Sequence, residues 1–158
     1  MSLEQLRLDN QLCFLFHRIS RELTAAYRPL LDGLGLTYPQ YLVMLVLWER
    51  DGLAVGEIGD RLALDSGTLS PLIRRLESAG LVLRERGAHD ERRVTVHLTE
   101  AGRELEQRAA GVPGALAGML ADDAAEYEQA KAALTGLVRR LRAARAGSGP
   151  APGDAHPN

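Results

Sequence analysis

Apolar positions change their period along this chain, and each change marks a structural boundary. From Leu6 through Leu12, Cys13, Phe16, Ile19, Leu23 and Tyr27 to Leu30 they recur at three- and four-residue steps. That spacing gathers them on one helical face and predicts a helix over about residues 4–31. Pro29 lies near the end of the run, and DGLGLTYP at 32–39 supplies glycines that stop it and a threonine that caps a second helix. The second helix runs from Leu42 to Trp48 without a polar residue. It has little polar surface to offer water and is expected at the centre of the core.

Beyond Asp51 and Gly52 the segments shorten. Helices are expected at about 55–63 and 66–79, joined by LALDSG, where Asp65 or Ser66 caps the second; two short helices across a tight turn form a helix-turn-helix. Gly80 ends the second helix. Leu81 and Leu83 then alternate with Arg84 and Arg86, the pattern breaks at GAHD, and Val94, Val96 and Leu98 fall on one side of a second strand, a hairpin with a polar tip. Thr99 caps a further helix over about 99–110, and Gly111, Pro113 and Gly114 separate it from 115–120. A last helix runs to about 145, its acidic start and basic end suiting the helix dipole. The Gly/Pro-rich tail at 147–158 has nothing apolar to bury and is expected to be disordered. The fold class is therefore mainly α with a small β wing, a winged helix-turn-helix in a single domain over residues 1–146.

At 158 residues and 46% hydrophobic the chain can bury a real core, and no apolar stretch approaches the roughly 20 residues that span a bilayer, so a soluble globular protein is expected. A formal net charge of −2 and a pI near 6.1 exclude a uniformly basic nucleic-acid binder. Any such site must come from local clustering, and the helix-turn-helix provides it. Its second helix opens with Ser66, Thr68 and Ser70, short polar groups suited to base edges and phosphates, with Arg74 and Arg75 one to two turns on. Read alone, Ser66 and Thr68 serve equally well as caps and the arginines as a solvated face. The hairpin favours nucleic acid: Arg84, Arg86, Arg92 and Arg93 converge on it, mixed with Asp90 and Glu91, a pattern suited to a minor-groove finger.

The chain has one cysteine, Cys13, so it forms no internal disulfide. Nothing at the N-terminus reads as an export signal, so a reducing cytoplasm is the expected compartment and a thiol the resting state. Cysteine identity alone leaves two readings open, a small core hydrophobe or a reactive thiol.

DSGTLSPLIRRLESAGLV followed by RERGAHDERRVTVHLTEAG resembles the DNA-binding core of the MarR family of winged-helix repressors, including an Asp-x-Arg wing signature at Asp90 and Arg92. The NQLCF context of Cys13 and the LTYPQYLVMLVLWE block resemble the organic hydroperoxide sensing members of that family. The resemblance covers about residues 6–145. It implies a cytoplasmic homodimer held by helices at about 4–32 and 99–145, with recognition helices in successive major grooves of a pseudo-palindromic double-stranded DNA operator and wings in minor grooves. It implies a repressor, not an enzyme, that releases its operator when an organic hydroperoxide oxidises Cys13, with Tyr27 and Tyr38 of the partner subunit donating to the sulfur. No cofactor, metal or membrane is implied.

Two departures matter. Where some relatives carry a third tyrosine, four residues after the cysteine, this chain has His17, on the same helical face as Cys13 and a candidate for making oxidation pH-sensitive. There is also no second cysteine to trap the oxidised sulfur, so a sulfenic acid would condense with a low-molecular-weight thiol, close a sulfenamide or over-oxidise. Two other readings are a MarR-type regulator of a small phenolic ligand, with Cys13 a bystander, and a thiol peroxidase. Against the peroxidase stand the missing second thiol, the missing Pro-x-x-x-Thr/Ser-x-x-Cys arrangement, and a winged helix that a peroxidase has no use for.

Overall fold

The computed structural model describes residues 3–86 and 93–147. The wing tip, with Asp90 and Arg92 of the expected DNA-binding set, and residues 148–158 of the expected disordered tail lie outside the described residues. The chain divides after Ala115 into two compact units.

The first unit opens with two single-turn 3-10 helices, Leu3–Leu6 and Leu8–Asn10, followed by α1 (Leu12–Asp32). The continuous helix expected from residue 4 is thus interrupted at Gln11, whose backbone is extended at φ −94° and ψ 116°. The cause is local: Asn10 Nδ2 donates to the Glu4 carbonyl at 2.8 Å and Gln11 Nε2 to the Arg7 carbonyl at 3.1 Å, closing turns that compete with a continuing helix. Cys13 therefore sits in the first turn of α1 rather than mid-helix.

Thr37 caps α2 (Tyr38–Glu49): Gln40 Oε1 accepts from the Thr37 backbone N–H at 2.8 Å and from its hydroxyl at 3.0 Å. Tyr41, Val43, Met44 and Leu47 of α2 are essentially inaccessible, which confirms this helix as the core of the unit. Around it pack β1 (Leu53–Ala54), α3 (Val55–Leu62), α4 (Ser66–Ser78), β2 (Val82–Arg86), β3 (Val94–Leu98) and α5 (Glu100–Ala109). The strands form an antiparallel sheet in the order β1-β3-β2, with Leu53 opposite Val96 and Val82 opposite Leu98. Two residues are too few to show an alternation, so β1 leaves no periodic signal.

The α3–α4 turn is tight. Ala63 takes the left-handed conformation at φ 54°, the Leu64 N–H returns to the Gly59 carbonyl at 2.9 Å, and a Cβ on Gly59 would stand 2.8 Å from the Leu64 oxygen. At the other end of α4 the N–H groups of Gly80 and Leu81 return to the Glu77 and Leu76 carbonyls, the Schellman closure. Asp51 then knits the unit together. Its Oδ1 accepts from the Leu98 N–H at 2.8 Å, and its Oδ2 pairs with Arg103 at 3.1 Å.

Helix α6 (Val112–Leu120) contains the boundary between the units, and the second unit continues into α7 (Ala124–Gly147). Gly147 is thus helical rather than the first tail residue. Asp123 caps α7 by accepting from the Glu126 N–H at 2.8 Å. Leu134, Val138 and Leu141, spaced on one face of α7, are all exposed. No helix among the described residues is long and apolar enough to cross a membrane.

Candidate functional site

The helix-turn-helix presents α4 (Ser66–Ser78) as its apolar and polar pattern predicts. Asp65 is the N-cap: one carboxylate oxygen accepts from the Thr68 N–H at 2.9 Å and the other from the Thr68 hydroxyl at 3.0 Å. Ser66 and Thr68 are exposed and Ser70 is half-buried. The Thr68 proton is therefore committed to the cap, and outwards Thr68 offers lone pairs and a methyl group. Arg74 and Arg75 are exposed further along, while Leu69, Ile73 and Leu76 are buried against the core.

Between α3, α4 and the hairpin lies an open cleft of about 870 Å³. Ser70 and Arg74 line it from α4, Arg84 and Arg86 from β2, and Arg93 from just before β3, with Glu57 and Asp60 on the α3 side. The alternation of β2 explains the gathering, since Val82, Arg84 and Arg86 share one face. Arg75 is not in the cleft lining. Two of these cations are already paired: Arg84 Nη2 lies 2.6 Å from Glu77 Oε2, and Arg93 Nη2 lies 3.7 Å from Glu57 Oε2. Glu77 was not anticipated, because its pairing exists only once β2 folds back along α4.

Both Asp65 and Glu77 are held below the ordinary carboxylate range, Asp65 first by the Thr68 backbone N–H and Glu77 first by the Arg84 side chain. A carboxylate whose folded-state pKa is depressed contributes stability that is present above its unfolded pKa and lost as pH falls through the folded value. The thermal midpoint should therefore fall on acidification from about pH 7 to about pH 3, and Asp65→Asn and Glu77→Gln should each narrow that fall in a melting series.

Cys13 is exposed, as are Leu12, Leu15 and Ile19 around it at 57%, 47% and 51%, an apolar stripe that the described residues leave open. Phe14 and Phe16 are half-buried, and the Arg18 guanidinium lies 6.0 Å from the Phe14 ring centre. His17 is exposed one turn beyond Cys13. Tyr27 and Tyr38 are brought together, their rings stacked with centroids 4.4 Å apart, and Tyr41 and Trp48 continue the array at 5.6 Å and 6.1 Å steps. Burial raises the Tyr38 phenol above its ordinary value, so at neutral pH it remains an O–H donor. Helical rise puts Tyr27 about 21 Å along α1 from Cys13, so one protomer does not unite thiol and phenols. The far end of the array is anchored by Trp48 Nε1, which donates to the Gly102 carbonyl at 2.9 Å.

A smaller hollow of about 300 Å³ is lined by Tyr41, Leu45 and Trp48, with Glu49 and Glu106 among its walls. Two carboxylates there disfavour an anionic phenol. Among the described residues no cluster of His, Cys, Asp or Glu is arranged to hold a metal ion.

Residues 25–108 match the family of SarA/Rot transcriptional regulators. Over 138 residues the chain is 46% identical to the organic hydroperoxide resistance transcriptional regulator of Bacillus subtilis, covering 87% of this chain and 94% of that protein. Its structure is similar to that of AbfR of Staphylococcus epidermidis. Reduced AbfR bound to DNA superposes with a TM-score of 0.78 at 37% identity, over 90% of this chain and 97% of AbfR. Overoxidised AbfR bound to DNA gives 0.72 at 37% identity, over 89% and 99%.

Proposed function

The chain belongs to the MarR family of winged-helix transcriptional regulators, among the organic hydroperoxide resistance regulators, and from this we propose that it is a DNA-binding repressor that senses organic hydroperoxides through Cys13. It acts as a homodimer in the cytoplasm and releases its operator when the thiol is oxidised. The observation that carries this reading is the lone exposed thiol on an uncovered apolar stripe, in the same compact unit as a winged helix with an arginine-lined cleft.

Dimerisation supplies what one protomer lacks. The exposed stripes of α1 and α7 are the surfaces a second copy would cover, and covering them brings the partner's Tyr27 and Tyr38 to Cys13. Phenol donors aimed at sulfur favour the thiolate, and the apolar surround favours an organic peroxide over a hydrated one. The thiolate attacks one peroxide oxygen, the O–O bond breaks, and the alkoxide takes a proton to leave as alcohol. Sulfur is oxidised by two electrons to sulfenic acid. A low-molecular-weight thiol then displaces hydroxide as water and leaves a mixed disulfide.

An adduct at Cys13 disturbs the tyrosine pair, and α2 carries Tyr38, Tyr41 and Trp48 on one rigid element. Trp48 holds Gly102, which is packed on the Leu81 carbonyl at the junction of α4 and β2. A shift of the phenols is thereby passed to the recognition helix and the wing. On the DNA side, Ser66, Thr68 and Ser70 are assigned to the bases, Arg74 and Arg75 to the backbone, and the wing, with Arg86 and Arg93 among its cations, to the minor groove.

The test is a mobility shift of duplex DNA from upstream of the protein's own gene, with and without cumene hydroperoxide. Binding by the reduced protein and release on oxidation are expected, and intact mass before and after, with added thiols, reads the modification. Catalytic peroxide consumption without DNA binding would instead establish a peroxidase.

His17 is proposed to assist the thiol. Its ring lies one helical turn from the sulfur and can hydrogen-bond to it, so His17→Phe should be oxidised more slowly than wild type. Superimposable profiles from stopped-flow oxidation would remove His17 from the site.

A further inference from the structure

One carboxylate ties the recognition helix to the wing. Glu77, in the last turn of α4, accepts at Oε2 from Arg84 Nε at 2.7 Å, with Arg84 Nη2 at 2.6 Å from the same oxygen. Its Oε1 accepts from the Arg84 backbone N–H at 3.3 Å. Backbone and side chain of Arg84, in the middle of β2, are thus held by one side chain of α4. Two residues on, Arg86 shares the cleft face of the strand, yet its guanidinium makes no ion pair or hydrogen bond among the described residues.

These two arginines cannot do the same work at a phosphate backbone. Counterion release responds to net positive charge brought to phosphate, and a guanidinium whose Nε edge is already occupied by a carboxylate brings little. Removing Glu77 discriminates between two effects of opposite sign. If Glu77 were only a negative charge near DNA, its loss would tighten binding; if it aims the wing, its loss loosens it.

Resting on the DNA-binding reading above, we propose that Glu77 is a positioning residue of the DNA interface. Through Arg84 it fixes the angle between the recognition helix and the wing, and Arg86, not Arg84, supplies wing charge to the phosphates. Glu57 and Arg93 brace the opposite strand more loosely, at 3.7 Å.

The test is fluorescence anisotropy of the reduced full-length protein on labelled duplex spanning its own promoter, across a salt series. In Arg86→Gln the slope of log affinity against log salt should become shallower by about 0.9 for each wing engaged. Arg84→Gln should keep the wild-type slope and Glu77→Gln should keep or steepen it, yet both should bind roughly 2- to 30-fold more weakly. The double variant should bind no more weakly than either single one, the signature of one shared interaction. An Arg84→Gln slope as shallow as that of Arg86→Gln, tighter binding by Glu77→Gln, or additive losses in the double variant would overturn the assignment. Wild-type protein that shows no salt-dependent binding would instead overturn the DNA-binding reading on which it rests.

Discussion

Replacing Cys13 by serine should give a repressor that binds its operator as the wild type does and no longer releases it when an organic hydroperoxide is added. Serine is nearly isosteric, and the side chain is exposed in the first turn of α1, so the folded unit loses no packing. What disappears is the nucleophile: a hydroxyl is not deprotonated near neutrality and does not open the O–O bond. In the wild type, oxidation should weaken operator binding on the order of 5- to 150-fold, the usual span of coupling between two sites. In Cys13→Ser that ratio should fall to about 1, with the reduced-state affinity unchanged. Titrations with and without cumene hydroperoxide measure both. An unchanged peroxide response in the serine variant would make the cysteine a bystander and favour a regulator that binds a small ligand.

The second large effect falls on Gly102, far from the thiol in sequence. A Cβ built there would lie 2.2 Å from the Leu81 carbonyl oxygen and 3.3 Å from Leu98 Cδ2. The Leu81 oxygen is not free to retreat, because it accepts from the Thr99 N–H at 3.1 Å, while the Gly102 carbonyl holds Trp48 and its N–H donates to the Thr99 hydroxyl. Alanine is the better helix former by about 1 kcal/mol, but overpacking against backbone costs about 3 kcal/mol or more. Gly102→Ala should therefore lower the Tm by roughly 4–8 °C, at about 2–4 °C per kcal/mol for a chain of this length. Gly114→Ala, where the new methyl meets nothing within 4 Å, should leave the Tm unchanged or raise it slightly. Equal melting curves for the two variants would refute the close approach.

Gly102 also shows how differently the two halves of the problem were written in the sequence. The unbroken apolar run of α2, the cap at Thr99 and the turn between α3 and α4 depend on residues within a turn or two of each other, and all were legible. So was the candidate chemistry: one thiol, two phenols, and arginines on a hairpin. The interruption at Gln11 was not legible, since it depends on amide side chains folding back onto the preceding turns rather than on apolar spacing. Nor was the division of labour among the arginines, because all of those on the hairpin look alike until Glu77 and Glu57 take one each.

Local periodicity and capping chemistry determined the order of elements, the winged helix-turn-helix and the residues that carry charge or a thiol, because those signals act over a few residues. Tertiary structure alone decided which charges remain available, that Trp48 and Asp51 bind the wing and α5 to the core, and that Tyr27 and Tyr38 stack on each other. The reason is physical: hydrogen bonds and ion pairs between distant residues form only after buried apolar faces have brought their elements together, and no local pattern encodes them.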